Sequence, residues 1–171
     1  MNQAATQNAV PTPAFERRDN IGRLVALTWH GAGAGASAAG GRWLVAIDGS
    51  ACSLRTLNTA AGLVALGRDN EVDLVNVQPW LVKEAAETEL PRRGWAATAL
   101  AREWLDAASV RWRLHVVLGE AAPEIARMAD ALGSSAIAIG SHGLTATESL
   151  LLGSVAYKVL HLAKRPVLIV R

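Results

Sequence analysis

From Arg42 onward, short apolar runs alternate with longer stretches in which apolar residues recur every three or four positions. Trp43-Leu44-Val45-Ala46-Ile47 is a continuous apolar run, which predicts a strand covered on both faces. Asp48-Gly49-Ser50 ends it, and Ser50 is placed to cap the helix that follows. Leu54, Leu57, Ala61 and Val64 then recur at helical spacing, with Gly67 as the stop. Val72, Leu74, Val75 and Val77 predict a second strand, ended by Pro79. The stretch from Leu81 to Val110 reads as helix in two parts, broken around Pro91 and Gly94. In its second part Leu100, Trp104 and Ala108 share a stripe. Leu114 to Leu118 predicts a third strand, closed by Gly119. Pro123 suits the first turn of the next helix, whose apolar face is Ile125, Met128, Ala129 and Leu132 and whose stop is Gly133. Ala136 to Ile139 is a fourth strand. Val155, Val159 and Leu162 predict the inward face of a last helix, which Arg165-Pro166 ends before a fifth strand, Val167 to Val170.

This alternation predicts an α/β fold: a doubly wound, five-stranded parallel sheet with helices on both faces. Ligands of such sheets lie beyond the carboxyl ends of the strands, where the strand order reverses. In the order 3-2-1-4-5, strands one and four are neighbours at that point. Asp48-Gly49-Ser50 and the segment from Gly140 would then meet there.

Residues 1–41 differ in composition. Asn, Gln, Thr, Ala and Pro dominate the first positions, and Gly31 to Gly41 is almost wholly Gly, Ala and Ser. Such sequence buries too little apolar surface to repay its ordering entropy. It reads as a weakly ordered tail and linker ahead of one domain over residues 42–171. The patch Leu24-Val25-Ala26-Leu27 reads first as incidental apolar residues in an unstructured tail, and otherwise as a docked strand or helix turn.

The 171 residues suit one such domain with a tail. No run approaches the ~20 apolar residues of a membrane span, and no signal-peptide pattern opens the chain. The single cysteine, Cys52, excludes an internal disulfide and fits a reducing compartment, so the expected address is cytoplasmic. Lys and Arg exceed Asp and Glu by a net charge of only +2 and form no basic stripe, which gives no support to nucleic-acid binding. His and Cys show no metal-ligand spacing. Trp80, Trp95, Trp104 and Trp112 read as core or interface anchors.

The candidate chemistry lies after the fourth strand. Gly140-Ser141-His142-Gly143, nine residues, then Gly153-Ser154 lead from a strand into a helix. Glycines let backbone approach an anion closely, and the free amides and dipole of a helix N-terminus favour negative charge. A P-loop would need G-x-x-x-x-G-K-[ST], and no Lys lies between Gly140 and Gly153. The dinucleotide fingerprint G-x-G-x-x-G is also absent, and it follows the first strand rather than a late one.

The spacing resembles the G-2x-G-9x-G-S/T pattern of the universal stress protein family, in its ATP-binding branch. Gly140, Gly143, Gly153 and Ser154 fill every fixed position, and Val45 to Ser50 and Arg165 to Leu168 match the family's flanks. The resemblance spans about Trp43 to Arg171 and implies an adenine nucleotide alpha-hydrolase-like fold. It also implies that Asp48 meets the ribose or adenine edge with Ala46 close by. Val77 would contact the adenine, and Ile139 would flank the base or ribose. Gly140 and Gly143 would pass close to ribose and phosphates. Gly153, Ser154 and Val155 would hold the phosphates. ATP, or AMP or ADP, is the implied cofactor, with magnesium accompanying the phosphates. A homodimer is implied through the last strand, Val167, Leu168, Ile169 and Val170, whose apolar edge itself invites pairing.

No catalytic residue is assigned. His142 has no partner fixed by the sequence, and Thr145, Thr147, Glu148 and Ser149 read equally as phosphate contacts or polar surface. The first reading is therefore a nucleotide-dependent stress or regulatory protein. The alternatives are a slow ATP hydrolase or self-phosphorylating enzyme on the same fold, and an interaction module with an empty site.

Overall fold

The computed structural model describes residues 9–34, 42–65, 71–144 and 152–171. Seven strands form one sheet: β1 (Phe15–Arg18), β2 (Leu24–His30), β3 (Trp43–Ala46), β4 (Glu71–Gln78), β5 (Arg111–Leu118), β6 (Ala136–Gly140) and β7 (Val167–Val170). Their order is β1-β2-β5-β4-β3-β6-β7. The five strands β3 to β7 are mutually parallel and stand in the expected order. The helices are α1 (Ala51–Ala65), α2 (Lys83–Ala97), α3 (Ala99–Ala107), α4 (Ala121–Ala131) and α5 (Ser154–Leu162).

The sheet separates two cores. One joins it to α1, α2 and α3 through Leu57, Leu74, Leu90, Leu105 and Leu114. The other joins it to α4 and α5 through Leu44, Val75, Ile125, Ala129, Ile137 and Val159. Helices α1 and α5, which follow the adjacent strands β3 and β6, thus lie on opposite faces. Their divergence opens a crevice at the carboxyl ends of these two strands. Among the described residues no helix is long and apolar enough to cross a membrane.

Two strands exceed the expected five. Residues 14–30, read from sequence as part of a weakly ordered tail, form an antiparallel hairpin that pairs through β2 with β5. Val25, Leu27 and Trp29 are buried against the α2 side. The Trp29 ring meets Trp95 at 5.4 Å between centroids, and its indole N–H donates to Pro11 O. The apolar patch at Leu24–Leu27 is therefore the middle of an ordered strand. Residues 1–8 and 35–41 lie outside the described residues, as does Gly67, the expected stop of α1.

Three helix expectations also change. Helix α2 runs through Pro91 and Gly94 and ends at Thr98, whose hydroxyl donates to Gly94 O at 2.8 Å. Gly94 marks a close approach: a Cβ there would come within 2.3 Å of the Val116 side chain. In α3 the buried stripe is Ala101 and Leu105, one position from the expected one, leaving Leu100 and Trp104 at the surface. In α5 Ala156 and Val159 face the core, whereas Val155 and Leu162 are exposed. Trp112 is buried, but Trp80 is exposed rather than an anchor of this core.

Candidate functional site

Strand β3 delivers Ala46 and Asp48 to the crevice, because its run ends where Ser50 starts a helix. The Ser50 hydroxyl accepts the Ser53 N–H at 3.1 Å, as a helix cap does. Asp48 braces two backbones. Its Oδ1 accepts the Ser50 N–H at 2.9 Å and its Oδ2 accepts the Leu144 N–H at 3.2 Å, which ties the turn after β3 to the loop after β6.

The glycines of that loop sit where backbones crowd. A Cβ on Gly153 would lie 2.8 Å from Ser141 O, the same carbonyl that accepts the Gly153 N–H at 2.7 Å. A Cβ on Gly143 would lie 2.9 Å from Asp48 Oδ2. Ser141 is buried and its N–H donates to Val170 O at 2.7 Å, so the loop is also pinned to β7. Gly153 is the N-cap of α5 and offers no side-chain cap. The first helical bond runs from Tyr157 N–H to Gly153 O, so the amides of Ser154, Val155 and Ala156 precede the ladder.

These groups surround one open cleft of about 190 Å³. Ala46, Asp48, Val77, Ile139, Gly140, Gly143, Gly153, Ser154 and Val155, all nine residues singled out from sequence, line it together. The cleft has two characters. Ala46, Val75, Val77, Ile125 and Ile139 make an apolar slot across the strand ends. The described glycines of the loop and the start of α5, with its uncommitted Ser154, Val155 and Ala156 amides, make the rest of the lining. An apolar slot that leads to helix-terminal amides can hold a flat apolar group carrying an anion.

Ala121 and Ile125 of α4 and Ser53 of α1 line the cleft without having been singled out as site residues. Ile125 was legible only as a core position of its helix. His142 also lines the cleft, with its Nδ1 2.9 Å from Ser141 Oγ. Cys52 is buried and its thiol donates to Val170 O at 3.4 Å, which is a packing role. Thr145, Thr147, Glu148 and Ser149 lie outside the described residues. Among the described residues no group of three His, Cys, Asp or Glu is placed to hold a metal ion.

The profile of the universal stress protein family matches residues 41–171. The chain is 32% identical over 146 residues to the universal stress protein YxiE of Bacillus subtilis (strain 168), an overlap of 76% of this chain and 98% of that protein. Among solved structures, a universal stress protein from Archaeoglobus fulgidus is 26% identical with a TM-score of 0.63, covering 77% of this chain and 98% of its own. A universal stress protein from Archaeoglobus fulgidus in complex with dAMP superposes with a TM-score of 0.62 at 23% identity, covering 78% of this chain and 100% of its own. The glycine spacing, the parallel sheet order and these matches agree over the same residues: the chain belongs to the universal stress protein family.

Proposed function

We propose that the protein binds an adenine nucleotide in this cleft and acts as a nucleotide-dependent stress-response regulator without strong catalysis. One observation carries the reading. Segments far apart in sequence, at Asp48, Val77, Gly140 to Gly143 and Gly153 to Val155, converge on a single cleft whose apolar slot leads to free helix amides. The base fits the slot between Val77 and Ile139. The ribose fits beside Asp48 and Ala46. The phosphate fits the amides of Ser154 and Val155 and the backbone at Gly140, Gly143 and Gly153. The relative in complex with dAMP supports the ligand class. ATP, ADP and AMP all belong to that class. Magnesium would be held mainly by phosphate and water, since Asp48 is the only carboxylate among the described lining residues and both its oxygens already accept backbone N–H groups.

A reaction centre finds less support. The described lining contains no Lys or Arg to stabilise a transferring phosphoryl group. The reading also includes a homodimer through β7, which pairs on one side with β6 and leaves Val167 to Val170 half-buried. It includes a cytoplasmic address, which the lone cysteine supports.

Mass spectrometry of ligand released from purified protein, followed by calorimetric titration with adenine nucleotides, tests the reading. An adenine nucleotide in the released fraction, or saturable binding of one, is expected. Failure of AMP, ADP and ATP alike to bind sinks it. Turnover of ATP at ordinary enzyme rates, lost in Asp48→Ala, would favour the hydrolase instead. Sedimentation as a monomer at micromolar concentration would remove the dimer.

A further inference from the structure

We infer that Asn76 is a positioning residue of the cleft: through the Ile47 carbonyl it holds the Asp48 carboxylate where that group can accept the hydroxyls of a ribose. This rests on the adenine-nucleotide reading above. It adds a residue outside the cleft lining and a ligand feature, the sugar hydroxyls, that the site would select.

Asn76 is an exception on its strand. Alternate side chains of a strand share a face, and Val72 and Leu74, on the same face of β4 as Asn76, join the core with α1 and α2. Asn76 is buried there, with 3% of its surface exposed. A buried amide costs free energy unless its polar atoms find partners. Here they do. The Asn76 Nδ2 donates to Ile47 O at 2.8 Å, and its Oδ1 accepts the Gln78 Nε2 at 2.7 Å. An apolar side chain at this position could do neither.

What the amide holds is the chain just beyond β3. The strand ends at Ala46, yet β4 grips the next residue at both of its polar groups. The Ile47 N–H donates to Val75 O at 2.9 Å, and the Ile47 carbonyl accepts the Asn76 amide. A side chain thus supplies a further rung past the end of the strand, immediately before Asp48. Gly49 closes the turn from the other side. Its φ of +89° lies in the left-handed region, and a Cβ on it would come within 3.0 Å of Ala97 O in α2. With its two neighbours held, the backbone of Asp48 has little freedom, and the Ser50 and Leu144 N–H groups orient its carboxylate. A carboxylate offers about four acceptor positions, so those bonds leave capacity for hydroxyl donors. The vicinal hydroxyls of a ribose are such donors. A carboxylate already fixed meets them without the entropy cost of being ordered on binding.

Titration calorimetry of the full chain with AMP and ATP, each beside its 2′,3′-dideoxy analogue, tests this. Wild type should prefer the ribose form by about tenfold, as hydrogen bonds to a charged acceptor imply. Asn76→Ala deletes the donor to Ile47 O, and Asn76→Asp replaces it with an acceptor of the same size. Each should lower the preference to about threefold or less, with affinity for the dideoxy form kept within about twofold. Asp48→Asn should lower the preference as well, and adding Asn76→Ala to it should lower it no further, because the two residues act through one contact. Gln78→Leu, at a half-buried position, removes only the bond that steadies the Asn76 amide and should lower the preference by about twofold. That variant keeps the test decisive if the Asn76 variants fail to fold. Equal losses for the ribose and dideoxy forms, or an unchanged preference, give Asn76 a purely structural role and overturn the inference while the adenine-nucleotide reading stands. So does a wild type that binds both forms equally. Absence of binding by all four ligands overturns the nucleotide reading and the inference with it.

Discussion

At the amino ends of β4 and β5, charges are buried and matched to one another. At the carboxyl ends of β3 and β6, polar groups are left open. In the first region Arg42 Nε donates to Asp73 Oδ2 at 2.8 Å and Arg113 Nε to Glu71 Oε1 at 3.0 Å. His115 Nε2 lies 3.2 Å from Asp73 Oδ1, and its Nδ1 lies 3.1 Å from Thr28 Oγ1 on the added hairpin. Glu71 and Asp73 are almost wholly inaccessible. In the second region the amides of Ser154, Val155 and Ala156 have no ladder partners, and Asp48 holds a loop in place. One sheet thus places its ionic groups where they fix structure and its uncommitted amides where a ligand can use them. Damage at the first end should register in stability, and damage at the second in binding.

The largest expected effect is at the amino end. Asp73→Ala leaves Arg42 buried without this partner and removes the contact of His115. Breaking a buried pair by deleting one member costs about 3–5 kcal/mol. Urea denaturation should show that loss, while AMP affinity of the folded fraction stays within about twofold. A variant that folds normally but no longer binds nucleotide would erase the distinction between the two ends.

Gly153→Ala probes the other end. Its Cβ would press on Ser141 O and displace the start of α5. Overpacking of this kind costs about 1–3 kcal/mol, and here it acts on the residues proposed to hold phosphate. AMP affinity should fall by about tenfold or more, with a smaller loss of stability than Asp73→Ala. Unchanged affinity would detach the helix start from the ligand.

Acid should separate the ends more gently. Burial pushes the Asp73 carboxyl upward, but hydrogen bonds and charges from His115 and Arg42 outweigh it and hold the group below the usual carboxylate range. A depressed carboxyl contributes stability above its unfolded value of about 4, and that contribution is lost as pH falls through the folded value. Wild type should therefore lose stability steeply below about pH 4, and Asp73→Asn less steeply. Parallel acid profiles for the two proteins would show that another carboxylate governs the transition.

The same contrast explains what could be read from sequence. The glycine loop was legible because close backbone approach restricts residue type: a Cβ on Gly153 would press on the Ser141 carbonyl. Asp48 was legible because the strand order places the end of β3 beside that loop, whereas Val77 was legible only through the family resemblance. The ionic network was not. Glu71 and Asp73, like Arg113 and His115, alternate along strands as solvent-facing charges do, and only the pairing of β4 with β5 brings them into register. The hairpin was hidden for a similar reason. Phe15 to Arg18 is exposed throughout and has no apolar period, and β2 gains its meaning from β5 and α2. Pro91 and Gly94 misled as helix breakers: both lie inside α2, and Gly94 instead marks the helix's close approach to Val116.

The smallest effect is the most discriminating, since it tests whether any residue at the carboxyl end serves structure alone. Ser50 stands two positions from Asp48, is buried, and is absent from the described lining of the cleft. Its hydroxyl accepts the Ser53 N–H, and its carbonyl accepts the Ser53 hydroxyl at 2.9 Å. Ser50→Ala removes the cap but leaves the Ser50 N–H that Asp48 Oδ1 uses. Loss of an N-cap costs about 1 kcal/mol. The variant should therefore unfold at slightly lower urea and bind AMP within about twofold of wild type. If AMP affinity instead falls as far as in Gly153→Ala, the start of α1 is part of the binding machinery. The division between structure and ligand would then run through the sheet's carboxyl end rather than between its two ends.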